Sequence, residues 1–214
     1  RIHTLLLNTD HISINSEAGT NLMFGIDALS HDSYTGVPKG EGDLAIWPTG
    51  YLNFSADATG LEGEIVLMPG DIVNDALHLV KSPVVLQIRG GNIIEIVGES
   101  SDANLLKAQL ESFADREHAY MLKGFSIGLL YFRGDYFSGP FDPEKVNAID
   151  TTLRGGWTTL NFGNDIANSL SVTLTSPNLL LDNVEIFLNG DFAATMEPDI
   201  CLLYTSDAAD EVLG

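Results

Sequence analysis

The stretch Val84-Val-Leu-Gln-Ile-Arg-Gly-Gly-Asn-Ile-Ile-Glu-Ile-Val97 decides the fold class of this chain. Two runs rich in β-branched residues, at 84–89 and 92–97, flank the pair Gly90-Gly91. Both central residues of a type I′ turn need a positive φ, which glycine adopts without steric cost. The stretch therefore predicts a β-hairpin of two antiparallel strands.

Segments on either side of this hairpin predict further strands, because apolar and polar residues alternate in them. They lie at 11–15, 61–68, 156–162, 169–175 and 184–188, the last ending at Asn189-Gly190. An apolar stripe after Ser101-Asp102 predicts a helix that these two residues cap and that ends near Asp115, and 142–145 predicts a shorter helix. The sequence thus predicts an α+β fold, strand-rich and mainly antiparallel, with a few helices.

Composition narrows the class of protein. The 214 residues include 30 acidic and 10 basic ones, for a formal net charge of −20, and 44% are hydrophobic, enough for a sizeable core. A chain this acidic repels phosphate backbones and anionic lipids, so we expect neither a nucleic-acid nor a membrane partner. No apolar run approaches the ~18 residues of a spanning helix, and we expect a soluble, cytoplasmic protein.

The end of the chain has an unusual composition. Residues 201–211 read Cys-Leu-Leu-Tyr-Thr-Ser-Asp-Ala-Ala-Asp-Glu, which resembles the translation of a transposase sequencing adapter. We therefore expect 201–214 to be an adapter-derived tail that takes no part in the fold. The single cysteine, Cys201, lies in this tail and cannot form an internal disulfide.

Generic catalytic motifs do not identify a reaction. The sequence contains no HExxH, GxxxxGK[ST], GxSxG or GxGxxG pattern. His31 and Asp32 are adjacent in sequence, and neighbours on a strand face opposite sides, so we expect no dyad. Glu62 and Glu64 would share one face, which is typical of a solvated strand and also compatible with a cation site.

Several segments, taken in order, resemble a known family. They are Ala18-Gly-Thr-Asn-Leu22, Trp47-Pro-Thr-Gly-Tyr51, Leu61-Glu-Gly-Glu-Ile-Val-Leu-Met-Pro-Gly-Asp-Ile72, the Gly90-Gly91 hairpin, the helix after Ser101, Ser126-Ile-Gly128 and Asp182-Asn-Val-Glu-Ile-Phe-Leu-Asn-Gly190. This layout resembles the aminopeptidase T family and its relative 2,5-dihydroxypyridine 5,6-dioxygenase. The resemblance implies that 10–200 form the C-terminal, metal-carrying domain and that 1–9 are the remnant of an N-terminal α/β domain.

The resemblance also implies where the metal ligands would fall. The chemistry of the family needs carboxylates and imidazoles that converge on one or two divalent ions, Zn, Fe or Mn. At the matching positions this chain has Tyr51, Gly124, Thr159, Ser176 and Asn178. Neutral hydroxyl and amide oxygens hold transition metals poorly, so we expect no metal cofactor, a degenerate metal site, and hydrogen-bonding groups around the old metal position.

Three functions remain open at this point. A pseudoenzyme of this family could bind a small molecule or a peptide, as a monomer or a homodimer. A working leucyl-type aminopeptidase or ring-cleaving dioxygenase would need other ligands, for example Asp32, Glu62, Glu64 or His78. Three such side chains within ~5 Å of one another would favour the enzyme. The third alternative is a purely structural subunit.

Overall fold

Two antiparallel sheets form the framework of the described part of the protein. A computed structural model describes residues 2–38, 40–42, 50–73, 78–113, 115–130, 154–163 and 169–196. The strands are β1 His11–Asn15, β2 Asn21–Gly25, β3 Leu29–Tyr34, β4 Tyr51–Ala56, β5 Glu62–Leu67, β6 Ile72–Val73, β7 His78–Leu79, β8 Val84–Arg89, β9 Asn92–Val97, β10 Leu122–Gly128, β11 Thr158–Gly163, β12 Ser169–Leu174, β13 Asn178–Leu181, β14 Val184–Leu188 and β15 Asp191–Phe192. The helices are α1 Ile2–Leu6, α2 Ser101–Ser112 and α3 Arg116–Ala119, with a 3₁₀ turn at Ile26–Ala28. The α+β, strand-rich fold predicted from the sequence is confirmed.

The chain passes repeatedly between the two sheets. Sheet A has the order β15-β14-β13-β1-β2-β5-β8-β9, and sheet B has the order β3-β4-β10-β11-β12-β6-β7. In β1, β2 and β8 alternate residues are buried in the core, since side chains on a strand point to opposite sides in turn. The ring of Phe125 joins the sheets, with its centroid 4.9 Å from that of Phe24 in sheet A and 4.6 Å from that of Phe54 in sheet B.

The predicted hairpin is present with the predicted bounds. β8 and β9 are joined by Gly90 and Gly91, whose φ values are 55° and 72°, and Arg89 pairs with Asn92 across the turn. Asn189 and Gly190 likewise have positive φ values, of 50° and 81°, where β14 turns into β15. In both turns the residue types allow the left-handed conformation that the turn requires.

Substitution of the two hairpin glycines is expected to have unequal effects. A Cβ on Gly91 would lie 2.7 Å from the carbonyl carbon of Ala58 and 2.8 Å from its Cβ, whereas a Cβ on Gly90 would meet only the Thr59 carbonyl oxygen, at 3.5 Å. Both positions have positive φ, so the two alanine variants share the backbone strain. The difference between their stabilities therefore reports the steric overlap at Gly91. We expect Gly91→Ala to lower the free energy of unfolding by ~1 kcal/mol more than Gly90→Ala, measured by urea denaturation. Equal midpoints for the two variants would contradict this packing.

The cap of the main helix differs from the prediction. Ser100, not Ser101-Asp102, caps α2: its side-chain oxygen accepts a hydrogen bond from the backbone N–H of Ala103 at 3.2 Å. Asp102 is the second residue of the helix and is only 2% exposed; its carboxylate binds His78 of β7 and the backbone of the segment that follows β7. The helix ends at Ser112 rather than near Asp115.

Two other expectations fall outside the described residues. These are the short helix at 142–145 and the tail at 201–214. Within the described part of the chain, none of the helices has the length and apolar character needed to cross a membrane.

Candidate functional site

A row of polar side chains crosses the face of sheet B that points away from the core. Cross-strand pairing aligns Asn53 of β4, Ser126 of β10, Thr159 of β11 and Thr173 of β12 in one line. We call these four residues the polar row. Ser126 Oγ donates to Asn53 Oδ1 at 2.9 Å, and the Thr159 and Thr173 hydroxyls are 2.9 Å apart. The polar atoms of the row therefore bind one another in pairs.

Tyr51 and Gly124 lie on the same face but at opposite ends of it. Tyr51 pairs with Gly128, so four residues of β10, about 13 Å of extended chain, separate it from the level of Gly124. The Tyr51 ring stacks on that of Tyr34, with centroids 4.4 Å apart and planes within 6°. Burial raises the pKa of Tyr51 above its ordinary value of 10.0, and the nearby Tyr34 hydroxyl has a smaller effect in the same direction. The phenol is therefore neutral at physiological pH.

Gly124 pairs with Ser55 of β4, and the β4 backbone lies against the side on which a Cβ would stand. A Cβ built on Gly124 would overlap the carbonyl oxygen of Phe54 and would lie 2.9 Å from its carbonyl carbon. On its other side β10 pairs with β11, and that pairing shifts register between Leu122 and Gly124. The local backbone thus leaves no room for a side chain at residue 124.

Ser176 and Asn178 lie at the end of the sandwich, where β12 leaves sheet B and β13 enters sheet A. Asn178 Nδ2 donates to Asn15 Oδ1 at 2.9 Å, and its Oδ1 accepts from the backbone N–H of Asn189 at 2.7 Å. β12 is three strands from β4, or roughly 14 Å at the usual strand spacing, so Ser176 is remote from Tyr51. The structure brings Ser176 and Asn178 near each other but does not gather all five predicted residues at one point.

The alternative metal ligands are also separated. Asp32 and His78 lie on β3 and β7, the two opposite edge strands of sheet B. Glu62 and Glu64 lie on sheet A, where Glu62 accepts a hydrogen bond from the Gly90 N–H at 3.2 Å and lies 3.8 Å from Arg89. Among the residues that the structure describes, no three His, Cys, Asp or Glu side chains are placed to hold a metal ion.

A cleft that the sequence analysis missed opens at the end of the sandwich near Ser176. It has a volume of about 500 Å³ and is formed by four turns, which connect β1 to β2, β5 to β6, β12 to β13 and β14 to β15. We call it the end cleft; its lining residues are Ser16, Glu17, Ala18, Val66, Met68, Pro69, Asp71, Leu174, Thr175, Ser176, Pro177 and Asn189. Ser176 is the predicted site residue that contributes to it. Asp71, which follows the Pro69-Gly70 turn, was the feature of the sequence that could have indicated the end cleft.

Asp71 is the buried polar group of the end cleft, with 6% of its surface exposed. Its Oδ1 accepts from the Thr175 backbone N–H at 2.8 Å and from the Thr175 hydroxyl at 3.0 Å, and its Oδ2 accepts from the Met68 N–H at 2.8 Å. Burial raises the pKa of Asp71 above its ordinary 3.8 even though these hydrogen bonds favour the ionised form. The carboxylate thus ties the β5–β6 turn to the end of β12.

The sequence profile of the 2,5-dihydroxypyridine 5,6-dioxygenase (NicX) family matches residues 1–136. This match covers more than half of the 214-residue chain. The chain belongs to the NicX family. Comparison with curated proteins gives no significant match.

Two solved structures share the fold of this NicX-family chain. The 2,5-dihydroxypyridine dioxygenase from Pseudomonas putida KT2440 superposes with a TM-score of 0.74 at 22% identity, covering 92% of this chain and 58% of that one. Wild-type AmpT from Thermus thermophilus superposes with a TM-score of 0.56 at 12% identity, covering 90% and 52%. The resemblance to both the dioxygenase and aminopeptidase T is confirmed. This chain spans little more than half the length of either protein.

The metal that the family resemblance implies can be compared with the donors present. Zn, Fe and Mn are held in proteins by imidazole, thiolate and carboxylate groups. At the positions where the resemblance places the ligands, this NicX-family chain offers a phenol, a glycine, two hydroxyls and an amide. The Thr159 hydroxyl and the Asn178 amide are already hydrogen-bonded within the protein. This donor set does not fit a transition-metal ion.

Proposed function

We propose that this NicX-family domain has lost the metal centre of the family and acts as a non-catalytic domain that binds a small molecule or peptide. The supporting observation is the backbone around Gly124, the position where the resemblance places a metal ligand. A side chain there would overlap the Phe54 carbonyl, so the place of the ligand is filled by β4 itself. The neighbouring residues are no substitute, because Lys123 is a cation and Phe125 is fully buried in the core.

The polar row supports the same proposal. Thr159, a second family ligand position, shares its hydrogen bond with Thr173, a partner on the next strand. The two hydroxyls satisfy each other's hydrogen-bonding requirement, so this pair needs no bound cation. The fold survives the loss of the site because packing of the two sheets, and not a metal, stabilises it.

The proposal predicts the metal content of the purified protein. We expect elemental analysis to find no stoichiometric Zn, Fe or Mn, and EDTA to leave the melting temperature unchanged, because only a ligand bound to the native state stabilises it. Leucyl-peptide hydrolysis and dihydroxypyridine ring cleavage should both stay at background, with the Pseudomonas putida dioxygenase as the positive control for ring cleavage. About one metal ion per chain, removed by EDTA with a fall in melting temperature, would contradict the proposal and favour the enzyme.

A further inference from the structure

We propose that the end cleft binds a small organic cation, an amine that carries an apolar group. This inference rests on the proposed function, since it names the class of ligand that a non-catalytic domain of this kind would bind. The cleft volume of about 500 Å³ is within the ~300–1,000 Å³ typical of small-molecule sites.

The charge of the cleft favours a cation. Two of its twelve lining residues, Glu17 and Asp71, are acidic, and none is Lys, Arg or His. Asp71 is buried, and within the described part of the chain no basic side chain comes within ion-pair distance of it. An ammonium group bound next to Asp71 would supply the positive counter-charge that the protein does not provide for this buried carboxylate.

Asp71 also keeps one acceptor site for such a group. A carboxylate has about four lone-pair positions, and the backbone and side-chain donors of Met68 and Thr175 use three. These hydrogen bonds hold the carboxylate in place in the lining of the cleft, so it need not reorganise on binding. Glu17 is exposed at the β1–β2 turn, where it can contribute a second negative charge.

The rest of the lining favours an apolar body on the ligand. Val66, Met68, Pro69, Leu174 and Pro177 supply aliphatic surface, and 40% of Met68 is exposed. An unbranched thioether side chain adapts to ligands of different shape. A bare divalent ion fits less well, since it needs six or more oxygen ligands and Asp71 has one acceptor site left.

The proposal can be tested with three matched compounds. 2-Phenylethylamine, 2-phenylethanol and 3-phenylpropionate share an aromatic body and differ in charge. We expect the amine to bind saturably at one site by calorimetry and the alcohol and acid to bind at least tenfold more weakly. In ¹⁵N NMR spectra the amine should shift the amides of Ser16, Glu17, Thr175 and Ser176.

Two variants separate specific binding from the general attraction of an acidic protein for cations. Glu17→Gln should weaken amine binding about threefold to tenfold, because it removes a charge from the cleft. Glu95→Gln removes the same charge from an exposed position on β9, at the far edge of sheet A, and should leave the dissociation constant unchanged. The ratio between the two variants should persist in 0.3 M salt.

The outcomes distinguish this inference from the proposed function. A metal-free protein that binds the alcohol or the acid as tightly as the amine, that binds none of the three, or that binds the amine equally in both variants would overturn the cation proposal alone. Saturable binding of one Ca²⁺ that displaces the amine would also overturn it. A stoichiometric transition metal in the purified protein would instead overturn the proposed function.

Discussion

Replacing Asp102 by alanine is expected to lower the free energy of unfolding by about 3 kcal/mol or more. The carboxylate is 2% exposed and accepts hydrogen bonds from His78 Nε2 at 2.6 Å and from the backbone N–H groups of Lys81 and Ser82 at 3.0 and 2.9 Å. Removing it leaves two backbone donors without an acceptor and detaches helix α2 from the edge of sheet B. Urea denaturation of the variant and the wild type measures the loss.

The protein offers a matched control for this variant. Asp115 also pairs with a histidine, His118, at 2.9 Å, but it is 43% exposed. Asp115→Ala removes the same type of ion pair and the cap of α3, and should lower the free energy of unfolding by ~1 kcal/mol or less. Similar losses for Asp102→Ala and Asp115→Ala would mean that burial of Asp102 contributes little.

The effect of Asp102→Ala should also depend on pH. Burial opposes ionisation of Asp102, but the hydrogen bonds from His78, Lys81 and Ser82 together outweigh it and hold its pKa below the ordinary 3.8. A lowered carboxyl pKa stabilises the folded state at pH values above the unfolded pKa, and this stabilisation is lost as the pH falls through the folded pKa. The difference in the free energy of unfolding between wild type and variant should therefore have its full value at pH 6 and become smaller below about pH 4.

Gly124→Ala is expected to lower the free energy of unfolding by about 2–3 kcal/mol. The added methyl group would overlap the Phe54 carbonyl, so β4 or β10 has to move within the core of sheet B. Gly25→Ala is the control: Gly25 ends a strand of sheet A, has an ordinary φ of −71°, and has open space around the position of a Cβ. This control should change stability by less than about 0.5 kcal/mol.

A histidine at the same position tests the proposed loss of the metal site. We expect Gly124→His to be at least as destabilised as Gly124→Ala and to bind no stoichiometric metal, because the imidazole cannot enter the site without displacing β4. A variant that folds with wild-type stability and takes up one Zn or Fe per chain would contradict the proposed loss of the metal site.

Local sequence determined the elements whose causes lie within a few residues. The Gly90-Gly91 and Asn189-Gly190 turns follow from the backbone conformations that these residues tolerate. The bounds of β1 follow from apolar residues that alternate with the period of a strand, and those of β8 and β9 follow from runs rich in β-branched residues on either side of the glycine turn. The α+β class and the family resemblance could be predicted for the same reason, since both depend on short segments in a fixed order.

The tertiary structure alone decided the features that join residues far apart in the chain. Asp102 is a plausible helix cap by sequence, but its partner His78 is 24 residues away, so Ser100 takes the cap. The overlap at Gly124 depends on how β10 pairs with β4, and the end cleft depends on four turns between residues 16 and 189 that meet at one end of the sandwich. Periodicity and turn propensity act over a few residues and carry no information on pairing between distant strands, so they could not predict these contacts.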